Sequence, residues 1–376
     1  MKRLIALLLA ALLVFGLVAC GGGGGGGNEN SYGNISWNDG DLVIALVTDY
    51  GDIDDESFNQ GAWEGVVEFA EARDIPFDFF RPAERGSTAA NLDAIDQAIA
   101  AGAQILVTPG FLFEAALFEA QDLHEDVHFI LLDAVPAVGQ GEERESHISD
   151  NVAAILYAEE QSGFLAGYAA VYDGYRELGF IGGMAVPAVV RFGSGFVQGA
   201  ELAAAELGLD AGAVSIRYTY LGSFAPGPEV VTQAASWYAD GIEVIFAAAG
   251  GAGGSVFAAA DDTPDGRAIG VDVDQGHHSE RIITSAMKEL GSSVYQTLEA
   301  FFADRWEGGE VTMFNAANNG VGLPTDFSRF NSFTQTQYDE IFAQLVSGAV
   351  VVDDNFSEPN PNDMLTLELI TVTFVG

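Results

Sequence analysis

Apolar and polar positions alternate along this chain on two length scales. From residue 41 onward, short apolar runs rich in β-branched and aromatic residues are separated by longer segments with helical periodicity. This alternation is typical of a parallel sheet whose strands are joined by crossover helices. In the first half, strands are predicted at residues 42–47, 77–80, 105–108 and 129–132, with helices at 58–72, 89–101 and 112–125. Within the first helix, Trp63, Val66, Val67 and Ala70 are spaced to form one buried stripe.

The second half of the chain repeats this scheme. Strands are predicted at residues 178–181, 214–220, 244–248 and 268–271, with helices at 192–207, 229–240 and 254–260. A helix near 335–347 and a strand near 365–374 are expected to complete one or both sheets. Two consecutive series predict two similar α/β lobes, lobe 1 over 41–150 plus about 275–318 and lobe 2 over 151–274 plus about 319–376. Periodicity alone does not fix the crossovers between them.

The beginning of the chain has the pattern of an export signal. Lys2 and Arg3 precede an apolar run over residues 4–19 that ends at Cys20, which is the sole cysteine and excludes an internal disulfide. The run is shorter than the ~20 residues that span a bilayer core. Residues 17–20 resemble the bacterial lipobox, which implies a signal peptide over 1–19 and an acylated Cys20. The alternative is that Cys20 is an ordinary small residue of a signal.

Seven consecutive glycines follow Cys20, and a polar stretch continues to residue 37. Such composition is typical of a flexible tether, which we predict over residues 20–40. The formal charge is −41, and removal of Lys2 and Arg3 with a signal would take it to −43. A surface this acidic repels nucleic acid and anionic lipid, so no nucleic-acid partner is expected.

Polar and aromatic residues follow the predicted strands, where ligands bind in open parallel sheets. The first strand leads into residues 48–60, which include Asp55-Glu56-Ser57-Phe58-Asn59. Seven more segments belong with it, at residues 159–168, 180–184, 195–200, 220–224, 248–253, 270–275 and 284–288. Together, in this order and spacing, they resemble the basic membrane protein family, the purine nucleoside receptor type of bacterial lipoprotein.

The resemblance implies a periplasmic-binding-protein type I fold, with two Rossmann-like lobes and a ligand cleft between them. It implies a solute-binding lipoprotein outside the cytoplasm that binds a purine nucleoside and delivers it to the permease of an ABC importer. A monomer without a cofactor or catalytic residues is expected. The chain departs from the family pattern at Glu56, where lysine is usual, and at Ala225, where an acidic residue is common. Both departures bear on lobe closure and affinity.

The resemblance also implies that Phe58 and Phe224 sandwich a flat base, one ring from each lobe. Aromatic stacking contributes ~1 to 3 kcal/mol per base without demanding one base. The amide of Asn59 suits the edge of a purine because it offers a donor and an acceptor. Asp133, just past a predicted strand, is expected to accept from N–H groups of the base.

A second group of residues is predicted to contact the sugar. Asp272 follows a predicted strand, where its carboxylate can accept from two hydroxyls of a ribose. Lys288, one of two lysines in the chain, is expected to clamp the sugar or to pair with Asp272. Gly250, in a glycine-rich loop, can let the backbone approach the sugar.

Other functions stay open at this point. The same fold can bind a sugar or an autoinducer-like ligand, and Asp49, Asp52, Asp54 and Asp55 are similar to the calcium-binding aspartates of a nucleoside hydrolase. The chain contains neither the dinucleotide-binding glycine motif after its first strand nor a nucleophile elbow. No metal is expected at His277-His278, because adjacent histidines on a loop usually point apart.

Overall fold

The computed structural model describes residues 29–139 and 141–375. The predicted signal peptide, Cys20 and the glycine run lie outside the described residues. The strands are β1 (Glu29–Tyr32), β2 (Ile35–Asn38), β3 (Ile44–Val47), β4 (Phe77–Phe80), β5 (Ile105–Pro109), β6 (His128–Leu132), β7 (Ala137–Val138), β8 (Glu145–Ser146), β9 (Val152–Tyr157), β10 (Glu177–Gly182), β11 (Val214–Tyr220), β12 (Val244–Ala248), β13 (Arg267–Asp272), β14 (Ile282–Lys288), β15 (Val311–Phe314), β16 (Val321–Gly322) and β17 (Ile370–Phe374). The helices are α1 (Phe58–Glu71), α2 (Thr88–Ala100), α3 (Glu114–Leu123), α4 (Glu159–Tyr172), α5 (Pro187–Glu206), α6 (Pro228–Ala239), α7 (Gly253–Asp261), α8 (Leu290–Phe302) and α9 (Gln335–Ser347).

Two large sheets form the centres of two lobes. The first has the strand order β15-β9-β6-β5-β3-β4, and the second has the order β16-β14-β13-β12-β10-β11-β17. All neighbours in both sheets are parallel except β16, which pairs antiparallel with β14. Because helices cover both faces, central strands such as β3, β5 and β12 are buried at every position. The predicted two-lobed α/β fold is confirmed.

The helices form where apolar stripes and capping residues coincide. In α1, Val66 and Ala70 are fully buried, while Trp63 is half-buried and packs 5.4 Å from the ring of Phe77. Helix α9 agrees with its predicted bounds because Thr334 caps its start and Gly348 ends it in a left-handed conformation, with φ of 71°.

The crossovers between the lobes differ from the predicted boundaries. β9 belongs to the first sheet and β14 to the second, so the chain changes lobe after Tyr157, after Lys288 and after β15. The predicted start of lobe 2 at residue 151 is therefore too early, and its predicted end at 274 is also too early. The sequence analysis predicted neither β9 nor β14 as a strand. A small hairpin of β7 and β8 precedes β9, and a loop alone joins β13 to β14, so the alternation of strands and helices does not extend to them.

Part of the predicted tether is an ordered hairpin. β1 and β2 pair antiparallel over residues 29–38, and the Tyr32 hydroxyl accepts from Arg73 Nε at 2.8 Å. The turn residue Gly33 has a φ of 59°, and a Cβ there would lie 1.8 Å from the carbonyl oxygen of Phe302. The close contact with the end of α8 holds the hairpin on lobe 1. The prediction of a flexible segment up to residue 40 is thus corrected for these residues.

None of the helices in the described part of the chain combines the length and apolar character that crossing a membrane requires. Three buried apolar clusters of the described residues lie beneath a surface with a large excess of carboxylates, since the chain carries 55 Asp and Glu against 14 Lys and Arg. Repulsion among like charges destabilises a compact state, and salt screens that repulsion.

We therefore expect the unfolding temperature to rise as salt is added, because the Debye length falls from about 30 Å at 0.01 M to about 3 Å at 1 M. Each kcal/mol by which salt raises the free energy of unfolding corresponds to a rise of roughly 2 to 4 °C in the unfolding temperature of a domain of about 150 to 250 residues. Differential scanning calorimetry in sodium chloride and potassium chloride measures this, and the two salts should act alike. An unchanged or lower unfolding temperature in 1 M salt would contradict the expectation.

Candidate ligand-binding site

A cavity of about 430 Å³ lies between the carboxyl ends of the two sheets. Its walls come from both lobes, with residues that follow β3, β5 and β6 on one side and residues at the ends of β12 and β13 on the other. This is the position that an open parallel sheet offers to a ligand. All seven residues that the sequence predicts for the site line this cavity, namely Phe58, Asn59, Asp133, Phe224, Gly250, Asp272 and Lys288.

The two predicted aromatic residues come from opposite lobes. Phe58 is the first residue of α1 in lobe 1, and Phe224 lies in the loop after β11 in lobe 2. The ring of Phe224 rests on Gly183, where a Cβ would lie 2.3 Å from ring atom Cδ1, and on Gly250, whose φ is 53°. These two glycines therefore set the position of the ring.

Tyr50 is an aromatic residue of the cavity that the sequence analysis missed. Its ring centroid lies 6.1 Å from that of Phe224 in an edge-on arrangement, and its hydroxyl is 3.4 Å from Oγ of Ser223. Arg85 Nη1 donates to the carbonyl oxygen of Tyr50 at 2.6 Å. Tyr50 thus joins lobe 1 to lobe 2 beside the cavity. Tyr50 lies just after the first predicted strand, and this position could have identified it as a cavity residue.

A second set of contacts joins the lobes around Glu56. Gln275 Nε2 donates to the carbonyl oxygen of Glu56 at 2.7 Å, and His278 Nδ1 lies 3.2 Å from Glu56 Oε2. Ser57 Oγ donates to Asp272 Oδ2 at 2.6 Å. Burial lowers the pKa of His278, and the Glu56 carboxylate partly opposes this. The departure from the family pattern at Glu56 therefore lies directly at a contact between the lobes.

Asn59 forms hydrogen bonds within the cavity wall. Its amide nitrogen donates to Asp49 Oδ1 and to Asp55 Oδ2, both at 2.9 Å, and its oxygen accepts from the Asp49 N–H at 3.3 Å. Both N–H groups of the amide are used in these contacts, and the predicted contact of Asn59 with the edge of a base stays a prediction. The amide orients two carboxylates that line the cavity.

These two carboxylates have different surroundings. Burial raises the pKa of Asp49, although its hydrogen bonds with Asn59 and the backbone oppose the shift. Burial also raises the pKa of Asp55, to about 6. Asp55 accepts from the backbone N–H groups of Ser57, Asn59 and Gln60, so it caps the start of α1 and holds Phe58 at the cavity wall.

Lys288 is the centre of a buried charge cluster. Its Nζ atom lies 2.6 Å from Asp133 Oδ2, 3.4 Å from Asp272 Oδ1 and 3.7 Å from Glu159 Oε1, and its side chain is 1% exposed. Burial alone would lower the pKa of Lys288, but the three carboxylates together raise it. The ammonium also lies 4.4 Å from the ring centroid of Phe58. Its main partner is Asp133, whereas the sequence had suggested Asp272.

Asp133 and Asp272 both have left-handed backbones, with φ of 61° and 67°. A non-glycine residue seldom adopts this conformation, and such strain is concentrated at functional sites. Asp133 Oδ1 is buried and has no hydrogen-bond partner among the described residues. Burial raises the pKa of Asp133, while Lys288 opposes that shift. An unpaired acceptor in the cavity wall fits a ligand that carries an N–H or O–H donor.

His277 and His278 differ from their expected arrangement, because their ring centroids lie 3.7 Å apart. Nδ1 of His277 is 3.1 Å from the Asp274 carbonyl oxygen, while His278 is held by Glu56. Within the described residues, no group of three or more His, Cys, Asp or Glu side chains is arranged to hold a metal ion.

Residues 42–355 match the sequence model of the Bmp family, described as ABC transporter substrate-binding protein PnrA-like. The chain belongs to this family. Proteins of the Bmp family are binding components of ABC transporters that work outside the cytoplasm with permeases, and they are not enzymes.

Named relatives are 25% to 29% identical to the chain over the aligned residues. It is 29% identical to the ABC transporter nucleoside-binding protein BmpA of Lactococcus lactis, over 76% of this chain and 82% of that protein. It is also 29% identical to basic membrane protein B of Borreliella burgdorferi, over 75% of this chain and 81% of that protein.

Solved structures show the same fold at lower identity. An ABC transporter solute-binding protein from Aeropyrum pernix K1 superposes with a TM-score of 0.71 at 21% identity, covering 84% of this chain and 94% of that one. A solute-binding protein from Conexibacter woesei superposes with a TM-score of 0.64, also at 21% identity, covering 84% of this chain and all of that one.

Replacing Lys288 with methionine should destabilise the protein by about 3 to 5 kcal/mol, because it leaves buried carboxylates without their cation. Arg217→Met is the matched control, since Arg217 pairs with Asp240 at 2.9 Å on the surface and its loss should cost within about 1 kcal/mol. Denaturant unfolding at pH 7 and pH 5 measures both.

The penalty in Lys288→Met should shrink at pH 5. Without the ammonium, the folded-state pKa values of Asp133 and Glu159 rise further above their unfolded values, so protons neutralise these carboxylates as the pH falls. A loss no greater than that of the Arg217 variant, at either pH, would contradict this view of the cluster.

Proposed function

We propose that this protein is the lipid-anchored substrate-binding component of an ABC importer and that it binds a purine nucleoside between its lobes. One observation carries the proposal: Phe58 and Phe224, from opposite lobes, line the same cavity as the unpaired oxygen Oδ1 of Asp133. The nucleoside-binding relative from Lactococcus lactis supports the same class of ligand.

The base would lie between the two aromatic rings. Stacking rewards any flat ring system, and each base contributes ~1 to 3 kcal/mol. Asp133 Oδ1 would then accept from an N–H at the edge of the base. This directional hydrogen bond would distinguish between bases, which stacking alone does not. The cavity volume of about 430 Å³ falls within the range of small-molecule sites.

The sugar would lie against Asp272, Lys288 and the Gly250 loop. Asp272 accepts from Ser57 and faces Lys288, yet an ionised carboxylate has about four lone-pair positions and retains room for a ribose hydroxyl. A free sugar would use this half alone and leave the aromatic pair and Asp133 Oδ1 unused. For this reason a nucleoside fits the whole cavity better than a sugar does.

The charge of the cavity wall supports an uncharged ligand. Its basic residues are Arg85 and Lys288. Its acidic residues are Asp49, Asp52, Asp54, Asp55, Glu56, Asp133 and Asp272. Such an excess of carboxylates disfavours a phosphorylated ligand, so nucleosides should bind more tightly than their 5′-monophosphates. Asp52 pairs with Arg81 and Asp55 caps α1, which gives both aspartates roles in a binding protein without hydrolysis.

Membrane attachment through Cys20 belongs to the same proposal. Mass spectrometry of the exported protein should find a mature chain that begins at an acylated Cys20, because the lipobox-like residues 17–20 direct both cleavage and acylation. Cys20→Ser is the control, and it should release the protein from the membrane fraction. A chain that keeps an unmodified Met1 would remove the anchor.

Three substitutions should weaken binding in three different ways. Phe224→Ala should weaken guanosine, inosine and cytidine alike, by ~1 to 3 kcal/mol, because it removes a stacking face that reads no base edge. Asp133→Asn keeps an oxygen for Lys288 but places an amide N–H₂ at the unpaired position, so it should change the order of preference among bases. Asp272→Ala should penalise ribosides far more than free guanine.

Isothermal titration calorimetry with these four ligands separates the three roles. Phe330→Ala is the matched aromatic control, since Phe330 is half-buried in lobe 2, packs on Phe333 and lies outside the cavity. Thermal unfolding of each variant shows whether it is folded. If all three variants bound every ligand as the parent does, the ligand would bind elsewhere.

A further inference from the structure

Glu159 lies immediately behind the proposed ligand site. It is the first residue of α4, where the chain has just left β9 and entered lobe 2, and its side chain is 1% exposed. Glu159 does not line the cavity, but its Oε1 atom is 3.7 Å from Lys288 Nζ. It therefore reaches the ligand site only through other residues.

The buried cluster contains more carboxylates than cations. Asp133, Asp272 and Glu159 surround Lys288, and one further cation, Arg191, lies 3.4 Å from Glu159 Oε2. An unpaired buried carboxylate is strongly disfavoured, and a proton removes the charge. Glu159 Oε1 and Asp133 Oδ1 are both buried and have no conventional partner among the described residues. Both oxygens belong to carboxyl groups that contact the ammonium of Lys288. A proton shared between these two groups would remove the excess negative charge of the cluster.

We propose that Glu159 is a positioning residue whose neutral carboxyl group donates a hydrogen bond to Asp133, and that nucleoside binding depends on this proton. The inference rests on the proposed function. Asp133 can accept from Lys288, from Glu159 and from a ligand at once, because its carboxylate offers about four lone-pair positions. Loss of the proton would place a third negative charge beside Asp133 and Asp272 and would draw Lys288 away from both.

The surroundings of Glu159 keep the proton on this residue. Burial raises the pKa of Glu159 to about 8, Asp133 and, less strongly, Glu160 add to the shift, and Lys288 and Arg191 oppose it. Burial also raises the pKa of Asp133, but Lys288 opposes that shift, and its Nζ atom lies closer to Asp133, at 2.6 Å, than to Glu159, at 3.7 Å, so the ammonium favours the ionised form of the aspartate. Near neutral pH, Glu159 is therefore the donor and Asp133 the acceptor.

Other titratable groups around Glu159 complete the electrostatic environment. Tyr157 on β9 stays neutral because burial raises its pKa well beyond this range. Glu160, the next residue of α4, also has a pKa raised by burial, to about 7, and it responds to Arg191 and Asp354 rather than to Lys288 or Asp133. Glu160 is thus a neighbouring buried glutamate outside the proposed hydrogen bond.

The direction of the pH effect follows from the raised pKa. A bound ligand displaces water from the cavity and further disfavours an ionised Glu159. Binding therefore takes up a proton when the pH exceeds about 8, and affinity should fall as the pH rises through that value, with a limiting slope of about tenfold per pH unit for one proton. Folding stability should fall over a lower range, from the ordinary glutamate pKa of about 4.3 up to about 8, because only in that range does the folded state hold a proton that the unfolded state has lost.

Calorimetry with adenosine from pH 6.5 to pH 9.5 tests this, since adenosine has no group that titrates in this range. Two buffers with different ionisation enthalpies count the protons taken up. In Glu159→Gln, the amide is neutral at every pH and still donates to Asp133. This variant should bind within about threefold of the parent at pH 6.5 and should lose the pH dependence.

Two more variants distinguish positioning from packing. Glu160→Gln, the matched control, should keep the fall in affinity near pH 8. Glu159→Ala should bind more weakly at every pH, and recovery in Glu159→Gln would assign the effect to the hydrogen bond. Thermal unfolding without ligand provides a second measurement: the parent should lose stability relative to Glu159→Gln as the pH rises toward about 8, and the difference should stay constant above that value.

The possible failures are separable. If the parent binds adenosine at pH 6.5 but keeps its affinity to pH 9.5 without proton uptake, the role of Glu159 is wrong and the proposed function stands. The same conclusion follows if Glu159→Gln retains the full pH dependence. If the parent binds no nucleoside at pH 6.5, the proposed function fails, and this inference fails with it.

Discussion

The buried ammonium of Lys288 is the interaction on which the arrangement of the two lobes most depends. Lys288 is the last residue of β14, directly before the chain crosses to α8 of lobe 1, and Asp133 lies at the end of β6 in lobe 1. Their contact of 2.6 Å joins the rims of the two sheets beside a crossover. A charge removed from water must have its partners in place, so this pair fixes how the lobes meet. The left-handed backbone of Asp133 shows that the fold accepts local strain to keep that partner in position.

Two of the other contacts between the lobes are of a weaker kind. The hydroxyl of Tyr50 lies 3.4 Å from Ser223 Oγ, and the side chain of Glu56 that faces His278 is 57% exposed. Exposed pairs of this type contribute little net free energy, so opening them costs little. The cleft thus has a buried, charged junction near the crossovers and exchangeable polar contacts near its mouth. This asymmetry suits a binding protein, because the mouth can open while the junction keeps the lobes in register.

The sequence predicted the fold well where each strand is followed by its own helix, and less well where that rule fails. The runs at β9 and β14 are apolar enough to be strands, yet no helix precedes either one, so the alternation gave no sign of which sheet they join. Asp133 and Asp272 could be predicted as cavity residues because both lie at the carboxyl ends of parallel strands. Periodicity in the sequence is enough to locate those strand ends. The use of Asn59 could not, because hydrogen bonds to Asp49 and Asp55 depend on side-chain directions that no spacing reveals.

Carboxylates serve two separate purposes in this protein, and the physics of each differs. Those on the surface are solvated and interact over distances that salt screens. Those around Lys288 are buried and are held by Lys288, Ser57 and Arg191 at short distances, where salt has little effect. In a chain with a formal charge of −41, a change of salt concentration therefore alters the repulsion between surface carboxylates but leaves the interactions in the cavity nearly unchanged. Recognition then depends on the protonation of a few buried groups, and the large net charge of the protein has little part in it.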